Sequence, residues 1–599
     1  MITISYLGFI EIMLKFRRRP VITKPNSQKE AEIQEPEESI QVNETTLVDE
    51  IPTRSHETSP FIASDEVLLQ TNNDVLSSDE GVTIIRPIKG IDPELSSCLE
   101  SSFCQNYPHS KLQILFCIDN PNDPSIPIIE TLISKYPSID SKILISSNFD
   151  ETKNSSDAHF GPNPKVNNLA KGFLAAKYDI LWIMDSNVWA SSNILSNSVI
   201  SLNENYNNGR KLNDSAKRKV KLVHHVPLAL SINTGKTDRT GSVSDKRERI
   251  LCGTTESETI HSLSPSLGSS TGSSSSNSSV SPSPGDYTDL EFAISPIQSA
   301  YSSSTNLLTN RNSPVVASSK PHFSSHKRLL KKFGARLDEM FLLTSHSKFY
   351  VALNNLAIAP CVNGKSNIYR KSDLDSAVSK MATTNDSQFF NADVNKKDAL
   401  KYSSLGPGNS IKFFSRYIGE DNMIGIALWE NVLGKTGLTG DVVIQPLSGI
   451  DNGVNDYITR RVRWLRVRKY MVLMATLVEP TTECIICSWY GNYAISTLFL
   501  NQWFSWRMFA LQVLIWCITD YVQYYTLVYN ITSNVNCDSR PSWLTSIPPL
   551  KRSVGNWLMV WVMREVLALP IWIIAMLGHE IDWRGKPFRI NHDLLAEEL

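Results

Sequence analysis

Apolar and polar positions alternate along this chain in a way that divides it into stretches of different physical character. Residues 2–16 (ITISYLGFIEIMLKF) are mostly apolar and are followed by Arg17, Arg18, Arg19 and Pro20. Fifteen residues are fewer than the ~20 that cross a bilayer, and the positive charge follows the apolar run, the reverse of a signal peptide. Residues 1–20 are therefore expected to form a short or tilted membrane anchor, with the arginines on the cytosolic side. Residues 21–80 are polar, poor in aromatics and expected to be a disordered linker. From Val82 short apolar runs appear: VTIIRP, QILFCID (Gln113–Asp119), KILIS (Lys142–Ser146), DILWIMD (Asp179–Asp185) and VKLVH (Val220–His224). Helix-length segments separate most of them, which predicts an α/β domain over 81–475 built on a mainly parallel, Rossmann-like sheet.

Two further stretches break the alternation. Residues 232–325 contain SLSPSLGSSTGSSSSNSSVSPSPG (Ser262–Gly285), a low-complexity run that cannot supply a core. A helical pattern resumes at Arg328–Leu343, so the serine-rich piece is expected to be a disordered insert within one domain. From Met471 apolar and aromatic residues dominate up to Leu577. Candidate transmembrane helices are Cys484–Leu500, Met508–Tyr529 and Trp557–Leu577, with Trp503, Trp506, Trp543, Trp557 and Trp583 near their ends. Residues 476–599 are thus expected to form a membrane-helical region with a short tail.

Charge and cysteine content narrow the function. The 59 basic and 60 acidic side chains nearly cancel, so no global field argues for nucleic acid as a partner. The nine cysteines lack the dense, regular spacing of a disulfide-stapled secreted domain, which predicts a reduced, cytosolic catalytic part. Cys484-x-x-Cys487 is half of a zinc site, but no second pair with ligand spacing exists and both cysteines lie in an apolar stretch, which favours packing.

Chemistry-bearing residues sit at the predicted strand ends. Asp185 closes an apolar strand, where α/β folds bind nucleotides and their metals; one hard carboxylate oxygen suits a divalent cation, Mg2+ or Mn2+, shared with a diphosphate. Gly90 ends RPIKG and allows backbone amides to approach a ligand closely. Lys89 and Lys165 can offer ammonium charge to phosphates.

In order along the chain, RPIKGIDPEL (Arg86–Leu95), NDPSI (Asn122–Ile126), NPKVNNL (Asn163–Leu169), LVHHVP (Leu222–Pro227), CVNGKSNIYRK (Cys361–Lys371), YIGEDN (Tyr417–Asn422), RRVRW (Arg460–Trp464) and IDWRGKPFRI (Ile581–Ile590) resemble the ceramide glucosyltransferases. The resemblance extends from about Val82 to Ile590, apart from the insert and a looser stretch between Ser372 and Phe414, and is to members of fungal type. It implies a GT-A-type catalytic domain with C-terminal transmembrane helices, working on UDP-glucose and ceramide with inversion. It also implies an integral protein of the Golgi or ER membrane with its catalytic domain in the cytosol.

The resemblance assigns roles as well. Asp421 is implied as the general base, with Glu420 beside it in the substrate site. Arg460, Arg463 and Trp464 match the pattern [Gln or Arg]-x-x-Arg-Trp and would neutralise departing UDP and wall the acceptor site. Asp185 is the lone carboxylate kept where related transferases have Asp-x-Asp. A uridine contact belongs after the second strand, where strict register gives Asn120 in place of the family's Asp; Asp119 or Asn120 is expected to make it. His224, Cys361 and Gly364 align with residues near the active site. Two other readings stay open: a processive polysaccharide synthase of the same superfamily, and a catalytically dead membrane scaffold.

Overall fold

The computed structural model describes residues 2–16, 80–146, 149–150, 155–156, 159–207, 210–211, 217–232, 333–356, 360–384, 387–449, 452–533, 541–546, 553–583, 586–590 and 596–599. These all belong to one unit, Met1–Thr234 with Ser303–Leu599. The linker over 21–80, apart from Glu80, and nearly all of the serine-rich insert lie outside the described residues.

The central sheet has eight strands: β1 (Val82–Ile88), β2 (Leu112–Ile118), β3 (Asp140–Ile145), β4 (Ile180–Met184), β5 (Trp189–Ala190), β6 (Lys219–Ile232), β7 (Ser366–Arg370) and β8 (Gly434–Ser448), in the order β3-β2-β1-β4-β7-β6-β8-β5. The expected α/β fold with a mainly parallel sheet is present. β1 runs parallel to β2 and β4, β2 to β3, and β6 to β8. β2 and β4 are buried throughout, which is why they read as unbroken apolar runs and not as alternating ones.

The structure departs from the sequence reading at β6 to β8. β6 continues to Ile232, well past His224, and pairs with the unforeseen 15-residue β8. β7 is inserted antiparallel between β4 and β6, with Ser366 opposite Met184. That register delivers the residues just before β7 to the carboxyl end of β4.

Helices cover both faces. α2 (Leu95–Glu100), α3 (Ile126–Lys135) and α5 (Ile194–Asn203) pack Leu99, Ile129, Leu132 and Leu195 against Phe116, Trp182 and Val223. On the other face α4 (Pro164–Ala175), α8 (Lys371–Met381), α9 (Asp393–Ser403) and α10 (Glu420–Asn431) share a core with Ile85, Leu181 and Tyr369. A third cluster joins the far ends of β6 and β8 to α6 (Gly334–Phe341), α7 (Ser347–Leu356), α11 (Val454–Met471) and the apolar helices.

Those helices are α1 (Ile2–Lys15), α12 (Leu473–Val478), α13 (Cys484–Phe499), α14 (Trp506–Ser533), α15 (Ser542–Ser546) and α16 (Val554–Leu577). Among the described residues only α16 is long and apolar enough to cross a membrane. α13 has 16 residues, and α14 carries Gln512, Asp520 and Gln523. The three expected spans thus reduce to one by length and composition. α1 lies on α7: a Cβ at Gly8 would stand 2.0 Å from the Lys348 carbonyl oxygen, so the absent side chain permits backbone-to-backbone approach. Ile12 and Phe16 are buried there, while Leu7, Ile10 and Leu14 remain on the outer face.

Candidate active site

The loops leaving the carboxyl ends of β1, β2 and β4 are fastened from beneath by buried polar groups. Arg86, fully buried in β1, donates to the carbonyls of Cys98 (2.8 Å), Ser186 (3.2 Å) and Val188 (3.1 Å), holding the turn that follows Asp185. Asp123 accepts from the Gly90 amide at 2.8 Å and from the Ser125 amide and hydroxyl at 3.0 and 2.6 Å. It therefore ties the β1 loop to the β2 loop and secures the entry to α3. Gly90 has φ +71, a left-handed conformation that favours glycine, and a Cβ there would meet nothing within 4 Å.

Lys165 is the hub. Asn163 caps α4, accepting from the Lys165 and Val166 amides at 2.9 and 3.2 Å. Its own amide donates to the Tyr417 carbonyl (2.7 Å) and to Glu420 (3.0 Å), so the starts of α4 and α10 are fixed side by side. From that position the Lys165 ammonium reaches Asp185 at 2.9 Å, Glu420 at 3.0 Å and the Gly364 carbonyl at 3.1 Å. Lys365 closes on the other oxygen of Asp185 at 3.0 Å and donates to Asn187 at 3.2 Å. Asp421 lies across Gly364, where an added Cβ would be 3.0 Å from its Oδ2 and 3.1 Å from Lys165 Nζ.

The charges set one another. Burial alone would raise Asp185, but Lys165 and Lys365 outweigh it and hold this carboxylate below its ordinary range. Burial likewise opposes the charge on Lys165, and Asp185, Glu420 and Asp421 more than restore it. Asp421 is the exception: burial, and then the Glu420 charge, push it up to about 7 against the pull of Lys165. One carboxylate is thus kept ionised while its neighbour is poised to exchange a proton near neutrality.

Behind this cluster Tyr350 meets His224 Nδ1 and accepts from the Asn363 amide at 3.2 Å, supporting the loop that carries Gly364. Burial pushes His224 down to about 3, so it is neutral and acts as a support. Cys361 is held by backbone bonds to Asn354, 2.9 Å from its carbonyl, and burial pushes its thiol up.

The structure gathers Lys165, Asp185, Gly364, Glu420 and Asp421 into one cluster, with Gly90, Cys361 and His224 around it. Lys89 is exposed on the loop before Gly90. Asp119 accepts from Ser146 at 2.7 Å, and Asn120 accepts from the Asn122 amide at 2.8 Å, both at the end of β2. The arginine motif is spread differently. Arg460 is bound to Asp338 and to Asn452, toward α6 and not toward Asp421. Arg463 is half-buried on α11, and Trp464 packs near His346 (6.4 Å) and Phe341 (6.5 Å). Arg461 and Arg468 share Glu479 at 3.6 and 3.1 Å. The residue that sequence reasoning passed over is Lys365. It stood within CVNGKSNIYRK, yet only the β4–β7 pairing reveals that it faces Asp185.

The carboxyl edge of this α/β sheet presents an ionised Asp beside two lysines, with a second carboxylate raised toward neutrality next to them, and the sequence matches place the chain among the glycosyltransferases. A family model described as glycosyl transferase family 21 matches residues 61–209 and 397–596, and the chain belongs to this family. It is 54% identical to a ceramide glucosyltransferase of Candida albicans over 99% of this chain and 95% of that protein. It is 43% identical to a ceramide glucosyltransferase of Komagataella phaffii over 87% of this chain and 84% of that one. Among solved structures it is similar to the mannosyltransferase PcManGT of Pyrobaculum calidifontis, in complex with GDP-Man and Mn2+, at 10% identity and a TM-score of 0.32 over 86% of this chain and 94% of that one.

Proposed function

We propose that this enzyme transfers glucose from UDP-glucose to the primary hydroxyl of ceramide with inversion, in a Golgi or ER membrane with the catalytic unit facing the cytosol. The observation that carries the reading is the Asp421 carboxylate, raised to about 7 and lying across Gly364 from the Lys165–Asp185 pair. In this reading Asp421 accepts the proton of the ceramide hydroxyl as its oxygen attacks the anomeric carbon. UDP leaves on the opposite face, and the single displacement inverts the centre. Lys165 and Lys365 turn their ammonium groups from Asp185 to the diphosphate. Gly90 lets backbone amides approach the uracil or diphosphate closely, and Asp119 or Asn120 hydrogen-bonds the uridine.

A divalent cation suits this donor set. Asp185 and Asn187 present a carboxylate and an amide oxygen at one strand end. Among the described residues no three or more His, Cys, Asp or Glu gather as a metal cage. One carboxylate with one amide oxygen is the kind of protein donor set that an Mg2+ or Mn2+ site completed by substrate phosphates and water uses. When bound, the ion supplies positive charge to the diphosphate.

The test is UDP release measured with and without ceramide, together with the lipid product. Ceramide-dependent release with glucosylceramide of inverted configuration is expected. Release without ceramide accompanied by polymer, or no release at all, overturns the proposal.

A further inference from the structure

α16 has the length and apolarity of a membrane span, and 24 residues at 1.5 Å per residue reach roughly 36 Å. Its surroundings, however, are not those of a crossing helix. Trp557, Val560, Trp561, Arg564, Glu565, Ile571 and Ala575 form one buried stripe. Leu558, Met559, Val562, Val566, Leu569 and Ile573 form an exposed apolar stripe opposite.

The buried stripe is covered from end to end by the unit that carries the active site. The first half of α16 packs on α6 and α14, with the Trp561 indole donating to Asp520 at 2.8 Å and the Trp557 ring 6.2 Å from that of Tyr524. The second half runs beside α11. There Arg466 donates to the Ile574 carbonyl at 3.2 Å, and Lys469 to those of Met576 at 2.9 Å and Gly578 at 3.4 Å. α11 also carries Arg460, Arg461, Arg463 and Arg468, and a helix so charged does not enter hydrocarbon. Lysine and arginine heads can snorkel to an interface; here two of them end on carbonyls of α16 itself, so the last turns of α16 lie at the depth of those charged heads.

The middle of α16 gives an independent constraint. Arg564 pairs with Glu483 at 2.6 Å and stands 4.0 Å from Asp520, which pairs with Lys348 of α7 at 2.5 Å. A perpendicular crossing would carry this cluster to the bilayer midplane, where charges are most costly. A helix lying flat keeps it on the protein side.

We infer that α16 lies in the plane of the membrane, with its exposed stripe sunk into one leaflet and both of its ends on the side of the catalytic unit. This is the amphipathic, monotopic mode of binding a lipid surface. α12 extends the same surface: the Trp572 indole donates to the Thr476 carbonyl at 2.7 Å, and Leu473, Met474, Leu477 and Val478 are exposed around it.

The experiment places single added cysteines in the full-length protein, in sealed microsomes, and counts them with a membrane-impermeant, mass-shifting maleimide against the parent chain. Gly555→Cys reports the start of α16, where a side chain meets open space. Glu580→Cys reports the residue just beyond its end, and exposed Ser134→Cys on α3 is the reference for the catalytic side. Only variants that retain ceramide-dependent UDP release are scored, and exposed Val554→Cys replaces Gly555→Cys should the latter be inactive. The expected result is that both ends label to the same extent as the reference, before and after detergent. A difference of either end from the reference that detergent removes overturns the inference. Because the comparison is internal, an unexpected sidedness of the whole catalytic unit changes the reference alone and counts against the cytosolic assignment, not against the in-plane helix.

Discussion

Replacing Asp421 by Asn isolates the proton-accepting step. The amide keeps the size of the side chain but cannot take a proton, so transfer to ceramide should slow by ~10²- to 10⁴-fold, a barrier increase of ~2.7–5.4 kcal/mol at 1.36 kcal/mol per decade. Since Asp421 is pushed up to about 7, roughly half of the wild-type molecules carry the base at pH 7 and roughly a tenth at pH 6. kcat/KM should accordingly rise about tenfold per pH unit up to that value and then level off. Stability has the opposite sign. The folded pKa exceeds the ordinary 3.8, so the native state retains a proton that the unfolded chain releases. This contribution is full below pH 3.8 and is lost as pH rises through 7. A shift of about three units bounds it at ~4 kcal/mol. Asn stays neutral, so the variant should melt higher than the wild type at pH 8 and about equally at pH 4. Initial rates of glucosylceramide formation across pH, paired with thermal melts, read both effects. Full transfer by the variant would falsify the assignment of Asp421 as base, and a melting difference that does not change with pH would remove the ionisation argument.

Asp185→Asn should do the reverse, weakening cation-dependent binding of UDP-glucose as well as turnover, measured by titration calorimetry with and without Mn2+; undiminished donor affinity counts against it. Lys165→Met leaves Asp185, Glu420 and Asp421 facing one another, so it should cost ~3–5 kcal/mol of stability and move the acid limb of the rate profile above pH 7, and an unmoved limb would contradict the hub role. Gly364→Ala places a methyl 3.0 Å from Asp421 and 3.1 Å from Lys165; kcat should fall at least about tenfold while Tm changes by only a few degrees, since no core contact is lost. Deleting residues 237–318 should leave transfer to ceramide largely intact, because the segment carries no apolar periodicity and none of the family motifs; an inactive product would show that the insert contributes to the domain.

What could be read from the chain alone was local. The runs at Val82, Gln113, Asp179 and Val220 announced strands because strands buried on both faces must be apolar throughout, while the run at Lys142 forms the half-exposed edge strand β3. The carboxyl end of β4 announced Asp185. Ordered motifs then identified the family, since their spacing survives folding unchanged. Tertiary structure decided what depends on partners distant in sequence. β7 and β8 became strands through pairing with β4 and β6, and that pairing alone carries Lys365 to Asp185, 180 residues apart along the chain. The arginine motif is likewise one helix in sequence, yet Arg460 turns to Asp338 while Arg461 turns to Glu479, because successive residues on a helix point about 100° apart. The same limit applies to α16. Its hydropathy matches that of a spanning helix, but the stripe covered by α6, α11 and α14, and the ion cluster at Arg564, are set by packing, and packing determines whether an apolar helix crosses a membrane or lies upon it.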